Sequence, residues 1–421
     1  MSVNNMVYCF VKRPHPNPLP LAGEGVFERL PKIYDAQEIN HPTRDTTSPQ
    51  TMGAAILAAA MALPGLAVHA ESAPDKGIIS FKYMDYQDSQ PGLKRIGTRS
   101  PSLSVMAPIA GVWSLEGSLI SDDVSGASPM YHTAISGASK MQDQRTAADV
   151  RVTRYFPRGT LAFGLAYSTE HDYDSRAVSL QGTVSSEDKN TTWGFGAGYA
   201  SDRINPVNFI VTDESKKTAD LMLGVTQVLT AQDLLQINLT HARGRGYFSD
   251  PYKLPDNRPR ERSQSALMGR WNHHFSGTDG TSRISYRYYT DTFGIKAHTL
   301  SGEYVQPFAQ GWSVTPSLRL YTQSAASFYF DPVYDATLGA PFPPGYVFGD
   351  NRLLSPDQRL SAFGAATIGI KLAKQLGKDW LIDLKLDQYE QRSGLRIFGK
   401  GSPGLDPFRA RSILFGISRQ W

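Results

Sequence analysis

Carboxylates and histidines recur in this sequence in short phrases that close apolar stretches. Asp122, Asp123, Glu170, His171, Asp172, Asp174, Asp202, Asp250, Asp291 and His298 all lie in such phrases. Carboxylate oxygens and imidazole nitrogens together suit a hard or borderline divalent cation. Glu170, His171, Asp172, Asp291 and His298 are the candidate ligands, and a divalent cation is the only cofactor that the sequence suggests. Two carboxylates could also act as general acid and base if they met at one substrate. The structural alternative carries more weight, because acidic and Asx residues at strand ends commonly pair with arginine and close tight turns. No catalytic residue is assigned, and the chain is not expected to be an enzyme.

A second set has a different chemistry. Asp149, Arg151, Arg270, Arg283, Arg287, Glu303, Arg319, Asp383, Lys385 and Asp387 fall at alternate positions of apolar–polar segments, on the face opposite the large apolar side chains. Ladders of arginine facing acids inside a barrel set a transverse field and select solutes by charge. The same residues could instead satisfy one another across neighbouring strands. Arginine is in excess, which leans the selection toward anionic solutes. His273 and His274 are adjacent on one strand and so point to opposite faces, which bars them from sharing an ion. Trp271 and Phe275 beside them read as interfacial anchors. No phosphate-binding glycine loop, HExxH motif or nucleophile elbow stands in a supporting context.

Both sets depend on the elements that carry them. The chain has 421 residues, a net charge of +4, 11% aromatics with 20 Tyr and 19 Phe, and 37 Gly. No basic run or arm marks a nucleic-acid partner. The one cysteine, Cys9, leaves the rest of the chain without disulfide or thiolate metal chemistry. Residues 52–66, MGAAILAAAMALPGL, form an apolar stretch followed by small residues at Val68 and Ala70. This reads as a cleavable export signal over 52–70, with Arg44 the only close upstream cation. Residues 1–51 contain PHPNPLPLAGEG, which resembles a translated intergenic repeat, so they are expected to be a disordered, non-native extension.

After Ala70 no long apolar run occurs, so no transmembrane helix is expected. Segments of about ten residues alternate instead. Leu161, Phe163, Leu165 and Tyr167 alternate with Ala162, Gly164, Ala166 and Ser168, and Trp380, Ile382, Leu384 and Leu386 alternate with Asp383, Lys385 and Asp387. In lipid every backbone N–H and C=O needs a partner, and a closed sheet supplies them all. The pattern predicts an all-β, antiparallel up-and-down transmembrane barrel over 71–421. About sixteen strands are expected, within fourteen to eighteen, starting near residues 77, 98, 112, 145, 160, 173, 190, 217, 234, 262, 282, 297, 312, 359, 380 and 408. Short turns (108–111, 157–159, 187–189, 230–233, 276–281, 309–311, 373–378) alternate with gaps that are mostly longer (90–97, 123–144, 203–216, 250–261, 331–358, 394–407). Asp172 and residues 293–296 are the brief exceptions. Short periplasmic turns and longer extracellular loops are the asymmetry expected of an outer-membrane barrel. Residues 331–358 are long enough to fold inward as a plug or gate. The last segment alternates through Ile413, Phe415 and Ile417 to a terminal Trp421, and resembles the signal read by the barrel-assembly machinery. Arg419 interrupts it at interfacial height, where a charge costs only about 0–1 kcal/mol.

Five phrases carry a family resemblance: DDVSGASP at 122–129, STEHDYDS at 168–175, NTTWGFGAGYASDRINPV at 190–207, YFSDPYK at 247–253 and YRYYTDTFGIKAHT at 286–299. They resemble a family of uncharacterised proteobacterial outer-membrane proteins defined as a domain of unknown function, over nearly all of 75–421. The resemblance implies a barrel in the outer membrane and carries no activity. The leading function is then passage of a small solute through a charged lumen. The alternatives are an interaction or scaffold barrel that docks a periplasmic or surface partner, and an enzyme using the rim carboxylate–His set.

Overall fold

The computed structural model describes residues 73–421, apart from 130–137, 254, 332–342, 344 and 348–350, together with the short paired segments Val11–Lys12 and Glu38–Ile39. The expected export signal and, apart from that pair, the expected extension before it lie outside the described residues.

Sixteen strands close one barrel. They are β1 Ile78–Gln90, β2 Leu93–Ile109, β3 Trp113–Pro129, β4 Ala138–Phe156, β5 Gly159–Thr169, β6 Tyr173–Ser185, β7 Thr191–Ile204 and β8 Glu214–Val228. The second half runs β9 Asp233–Gly246, β10 Glu261–Phe275, β11 Gly280–Asp291, β12 Lys296–Ala309, β13 Trp312–Gln323, β14 Phe363–Leu376, β15 Trp380–Arg392 and β16 Phe408–Gln420. Each strand pairs antiparallel with the next, and β16 closes on β1 in a register that sets Phe415 opposite Tyr83. An even strand count brings the two ends of the barrel together. Gly77 and Trp421 exchange backbone hydrogen bonds of 3.1 Å in both directions. The Trp421 ring lies flat against Gly77, where an added Cβ would come within 2.3 Å of it. Among the described residues no helix is long and apolar enough to cross a membrane.

The period-two pattern decides which side chain faces where. On β5, Leu161, Phe163, Leu165 and Tyr167 are exposed on the outer wall, while Ala162, Ala166 and Ser168 are buried inside. The outer wall is thus a continuous apolar band, and its borders differ. All six tryptophans (Trp113, Trp193, Trp271, Trp312, Trp380 and Trp421) lie toward the rim of short turns. Cations lie over three of their rings: Arg154 on Trp113 at 5.0 Å, Lys374 on Trp312 at 5.1 Å and Arg419 on Trp380 at 5.3 Å. Toward the opposite rim the outward aromatics are tyrosines, including Tyr167, Tyr199 and Tyr286. Aromatic girdles on both sides of an apolar band match the two interfaces of a bilayer.

Turn and loop rims differ as expected, with three revisions. Residues 90–97 are a tight hairpin and not a loop. Gly92 takes φ +75° there, and the ladder slips between Gln87 and Ser89 while the Asp88 carboxylate accepts the Ile96 N–H at 3.0 Å. Residues 123–144 are mostly strand, with pairing carried out to Pro129 and Ala138, because paired backbones need only each other once past the apolar band. β14 starts at Phe363 instead of 359, because residues 355–362 turn into the barrel.

Candidate functional site: a charged bore under an ion-locked plug

By strand alternation the ten residues expected to line the lumen stand on the face opposite the exposed apolar row of their strands, Glu303 by its register with Arg283. Arg283 of β11 meets Glu303 of β12 at 2.7 Å, Arg151 of β4 meets Glu116 of β3 at 3.6 Å, and Lys385 meets Asp387 along β15 at 2.7 Å. Asp149 accepts a hydrogen bond from Ser118 Oγ across β3–β4. Asp383 lies against Gly416 of β16, and Asp387 against Gly369 of β14, so glycine makes room for each carboxylate. Arg319 stands in register with Thr367, and Arg287 with Met268 and Thr299; Arg270 shares their inward face on β10. Lys82, Glu116 and Lys371, all inward, extend the set, and Lys371 stands in register with Lys385.

The charged side chains of this face are withdrawn from water: Arg151, Arg287, Lys371, Asp383 and Lys385 each leave less than a tenth of their surface exposed.

The expected cation ligands are not brought together. Glu170, His171 and Asp172 form the turn between β5 and β6, where the Glu170 N–H donates to Tyr173 O at 2.9 Å and Asp172 accepts from the Tyr252 hydroxyl. Asp291 points inward, accepting from Arg262, from the Tyr289 hydroxyl at 2.7 Å and from the Ile295 N–H at 2.9 Å. His298 points outward, 2.6 Å from the Tyr286 hydroxyl. Asp291 and His298 thus lie on opposite sides of one wall and cannot hold one ion. Proximity to a rim is visible in the sequence, but convergence on one face is not.

A different cluster holds the loops. Among the described residues, 247–253 and 255–260 of one loop and 324–331 and 351–362 of the other fold into the mouth, pairing with each other through Asn257 and Leu354 (2.8 and 2.9 Å). Phe248, Phe328 and Leu360 from these loops pack with Phe293, Phe363, Phe408 and the inward Tyr86, Tyr321 and Tyr389 of the wall. Gln323 at the end of β13 donates to the carbonyls of Arg359 and Ser361 at 3.0 and 2.7 Å, tying the loop to the strand it leaves. Beside this apolar layer sits a buried ion network. Arg258 bridges Asp256 (2.6 Å) and Asp357 (2.7 Å), while Arg359 bridges Asp357 and Asp250 (2.7 Å).

Burial pushes the Asp250 carboxyl up to about 6 against the pull of Arg359 and Lys253. Burial also raises Asp256, while Arg258 opposes it. Burial works against the Asp357 charge as well, but Arg359, Lys253 and Arg258 together outweigh it and hold that carboxyl well below the ordinary range. The three carboxylates approach within 4.8 Å of one another, close enough to ligate a metal. Guanidinium groups already occupy their oxygens, so the arrangement works as a clasp between two loops. The triplet Asp-x-Arg occurs in both clasp loops, at 256–258 and 357–359, but also at 143–145, 149–151, 174–176 and 350–352, so sequence does not single out the clasp.

A family profile described as "Protein of unknown function (DUF3570)" matches residues 133–408. The chain belongs to this family. The matched stretch contains both clasp loops. No curated protein sequence matches the chain. Among solved structures, the chain is similar to CdiB from Acinetobacter baumannii at 8% identity, covering 80% of this chain and 60% of that one, with a TM-score of 0.45. It is similar to a bacterial polysaccharide outer membrane secretin at 10% identity, over 82% and 98% of the two chains, with a TM-score of 0.47. It is similar to OccK2 (OpdF) of Pseudomonas aeruginosa at 11% identity, over 82% and 97%, with a TM-score of 0.42. The chain spans about three-fifths of the length of the CdiB structure.

Proposed function

We propose that this barrel lies in the bacterial outer membrane and is a gated passage for a small charged solute, closed in the form described here. The supporting observation is the buried clasp of Asp250, Asp256, Arg258, Asp357 and Arg359, which holds a loop plug over a bore lined by arginine and acid. A wall that only anchored the protein would need no charged interior, and a wide pore would not need a clasp. The arginines at 151, 270, 283, 287 and 319 favour an anionic solute. The lipid-facing band supports the location. Export through a signal removed after Ala70, and assembly through the strand that ends at Trp421, belong to the same reading.

Conductance in planar bilayers tests it. The wild-type protein should show rare or small steps, and the double variant Arg258→Gln/Arg359→Gln should show frequent, anion-selective ones. Silence from both, with barrels shown intact by retarded migration of unheated samples, would reject the passage and leave the interaction barrel, which the burial of the lumen charges favours.

A further inference from the structure

Two long loops leave the same rim, and one of them lies outside the wall. Residues 393–400 fold back over β14, β13 and β12. The Leu395 carbonyl presses on outward-facing Gly364, where a Cβ would come within 1.8 Å of it. The Ile397 N–H donates to outward Thr322 Oγ1 at 3.2 Å, and the Phe398 ring packs 4.7 Å from outward His298. Gly364, Thr322 and His298 form one row across the register, directly above the apolar row of Ala366, Leu320 and Leu300. The flap thus adds a further tier to the lipid-facing band. It turns Ile397 and Phe398 outward at 62% and 59% exposure, in line with the apolar row beneath it.

Cations fringe this tier. Lys296 on β12, Arg392 on β15, Lys400 on the flap and Arg409 and Arg411 on β16 are all exposed. Glu390 pairs with Arg392 and Arg409, leaving the patch net positive. Apolar side chains under a fringe of cations fit the acyl chains and phosphates of one lipid leaflet.

We infer that the flap of residues 393–400 is a lipid-docking site that seats a phosphorylated lipid of the leaflet on the loop side, with Ile397 and Phe398 among the acyl chains and the flanking Arg and Lys on the phosphates. This rests on the barrel spanning a membrane, and the test separates the two. A nitroxide would be placed at Phe398→Cys in the full chain carrying Cys9→Ser, with Phe415→Cys on the band and Val347→Cys on a loop as references. The protein would be reconstituted in phosphatidylcholine vesicles with and without bis-phosphorylated lipid A. Collision with oxygen, which partitions into lipid, is compared with collision with a water-soluble nickel chelate.

Position 398 should match 415, with an oxygen-to-nickel ratio several-fold above that at 347, and should lose mobility when lipid A is present. The triple variant Arg392→Gln/Arg409→Gln/Arg411→Gln should abolish that mobility change and leave the ratio intact. A ratio at 398 equal to that at 347, with 415 in lipid, overturns the flap assignment alone. A mobility change that survives the triple variant overturns the phosphate contact. Shielding of 398 from both reagents, with disulfide-linked dimers after oxidation, assigns the surface to a second copy of the chain. An aqueous reading at 415 removes the membrane-spanning premise itself.

Discussion

The plug, residues 324–331 and 351–362, and the flap, residues 393–400, start from one rim and solve opposite problems. The first turns inward, where water is excluded, and its charges survive only by being paired: Asp357 and Arg359 are both buried and both bridged. The second lies against the outside and keeps its apolar side chains exposed, with its cations at the margin. Buried charge is expensive and needs a partner, whereas exposed apolar surface needs a different solvent. One rim therefore presents paired ions inward and apolar side chains outward.

The largest predicted effect breaks the inward side. Removing one partner of a buried ion pair costs about 3–5 kcal/mol because the remaining charge is stranded. Arg359→Gln takes the bridging guanidinium from Asp250 and leaves Asp357 to Arg258 alone, and should release the plug while the barrel persists. Limited proteolysis should cut within residues 324–362 in the variant and not in the wild type. Cleavage at the flap should be unchanged, since the described contacts of residues 393–400 are to Gly364, Thr322 and His298 of the wall and not to the clasp.

The next prediction concerns pH and again separates the loops. Asp250 titrates near 6 in the folded plug against an ordinary value of 3.8, so the folded form binds more protons between those values. Its contribution to plug stability is full below about 4 and is lost as pH rises through 6; Asp256 acts in the same direction. Asp357 acts oppositely, but only below 3.8, where its stabilisation fades as pH falls. Between pH 7 and 5 the plug should therefore tighten, by about tenfold from Asp250. Backbone amide exchange at 355–362, corrected for intrinsic rate, reads this directly. Asp250→Asn should weaken the slope, and the Ile397 amide should show none of it. A clasp that loosens between pH 7 and 5 would contradict the assignment.

What could be read in advance follows the same divide. Strand starts and the inward placement of Arg283, Glu303 or Asp387 are legible because a period of two assigns every residue to a face. Loops have no period. Nothing in the phrase around Ile397 and Phe398 says that it returns along the outer wall, and the length of 331–358 allowed a plug without naming its partners. The rim cation set failed for a related reason, since Asp291 and His298 are near in sequence but face opposite ways. The Asp-x-Arg triplets of the two clasp loops did not identify each other, because the same triplet recurs at 143–145, 149–151, 174–176 and 350–352.

On the outward side the effects should be smaller. Gly364→Ala places a methyl group against the Leu395 carbonyl, and overpacking of this kind costs about 1–3 kcal/mol. Only the flap has to move, so the expected result is a barrel of unchanged thermal stability in which a label at 398 loses its lipid contact. A drop in barrel stability comparable to that of a core substitution would show that the flap is part of the wall rather than a layer upon it.

Thr322→Val should produce the smallest change and tests the contrast most finely. Valine keeps the shape of threonine but removes the oxygen that accepts the Ile397 N–H. A single neutral hydrogen bond contributes about 0.5–1.5 kcal/mol, so exchange of the Ile397 amide should quicken about two- to tenfold. The plug amides should not respond, because Thr322 faces outward while its neighbours Tyr321 and Gln323 face inward and hold the plug side of the same strand. If exchange at 355–362 quickened as well, the two loops would be coupled, through β13 or through the Ser402–Ala362 hydrogen bonds, and the passage could sense the lipid around it.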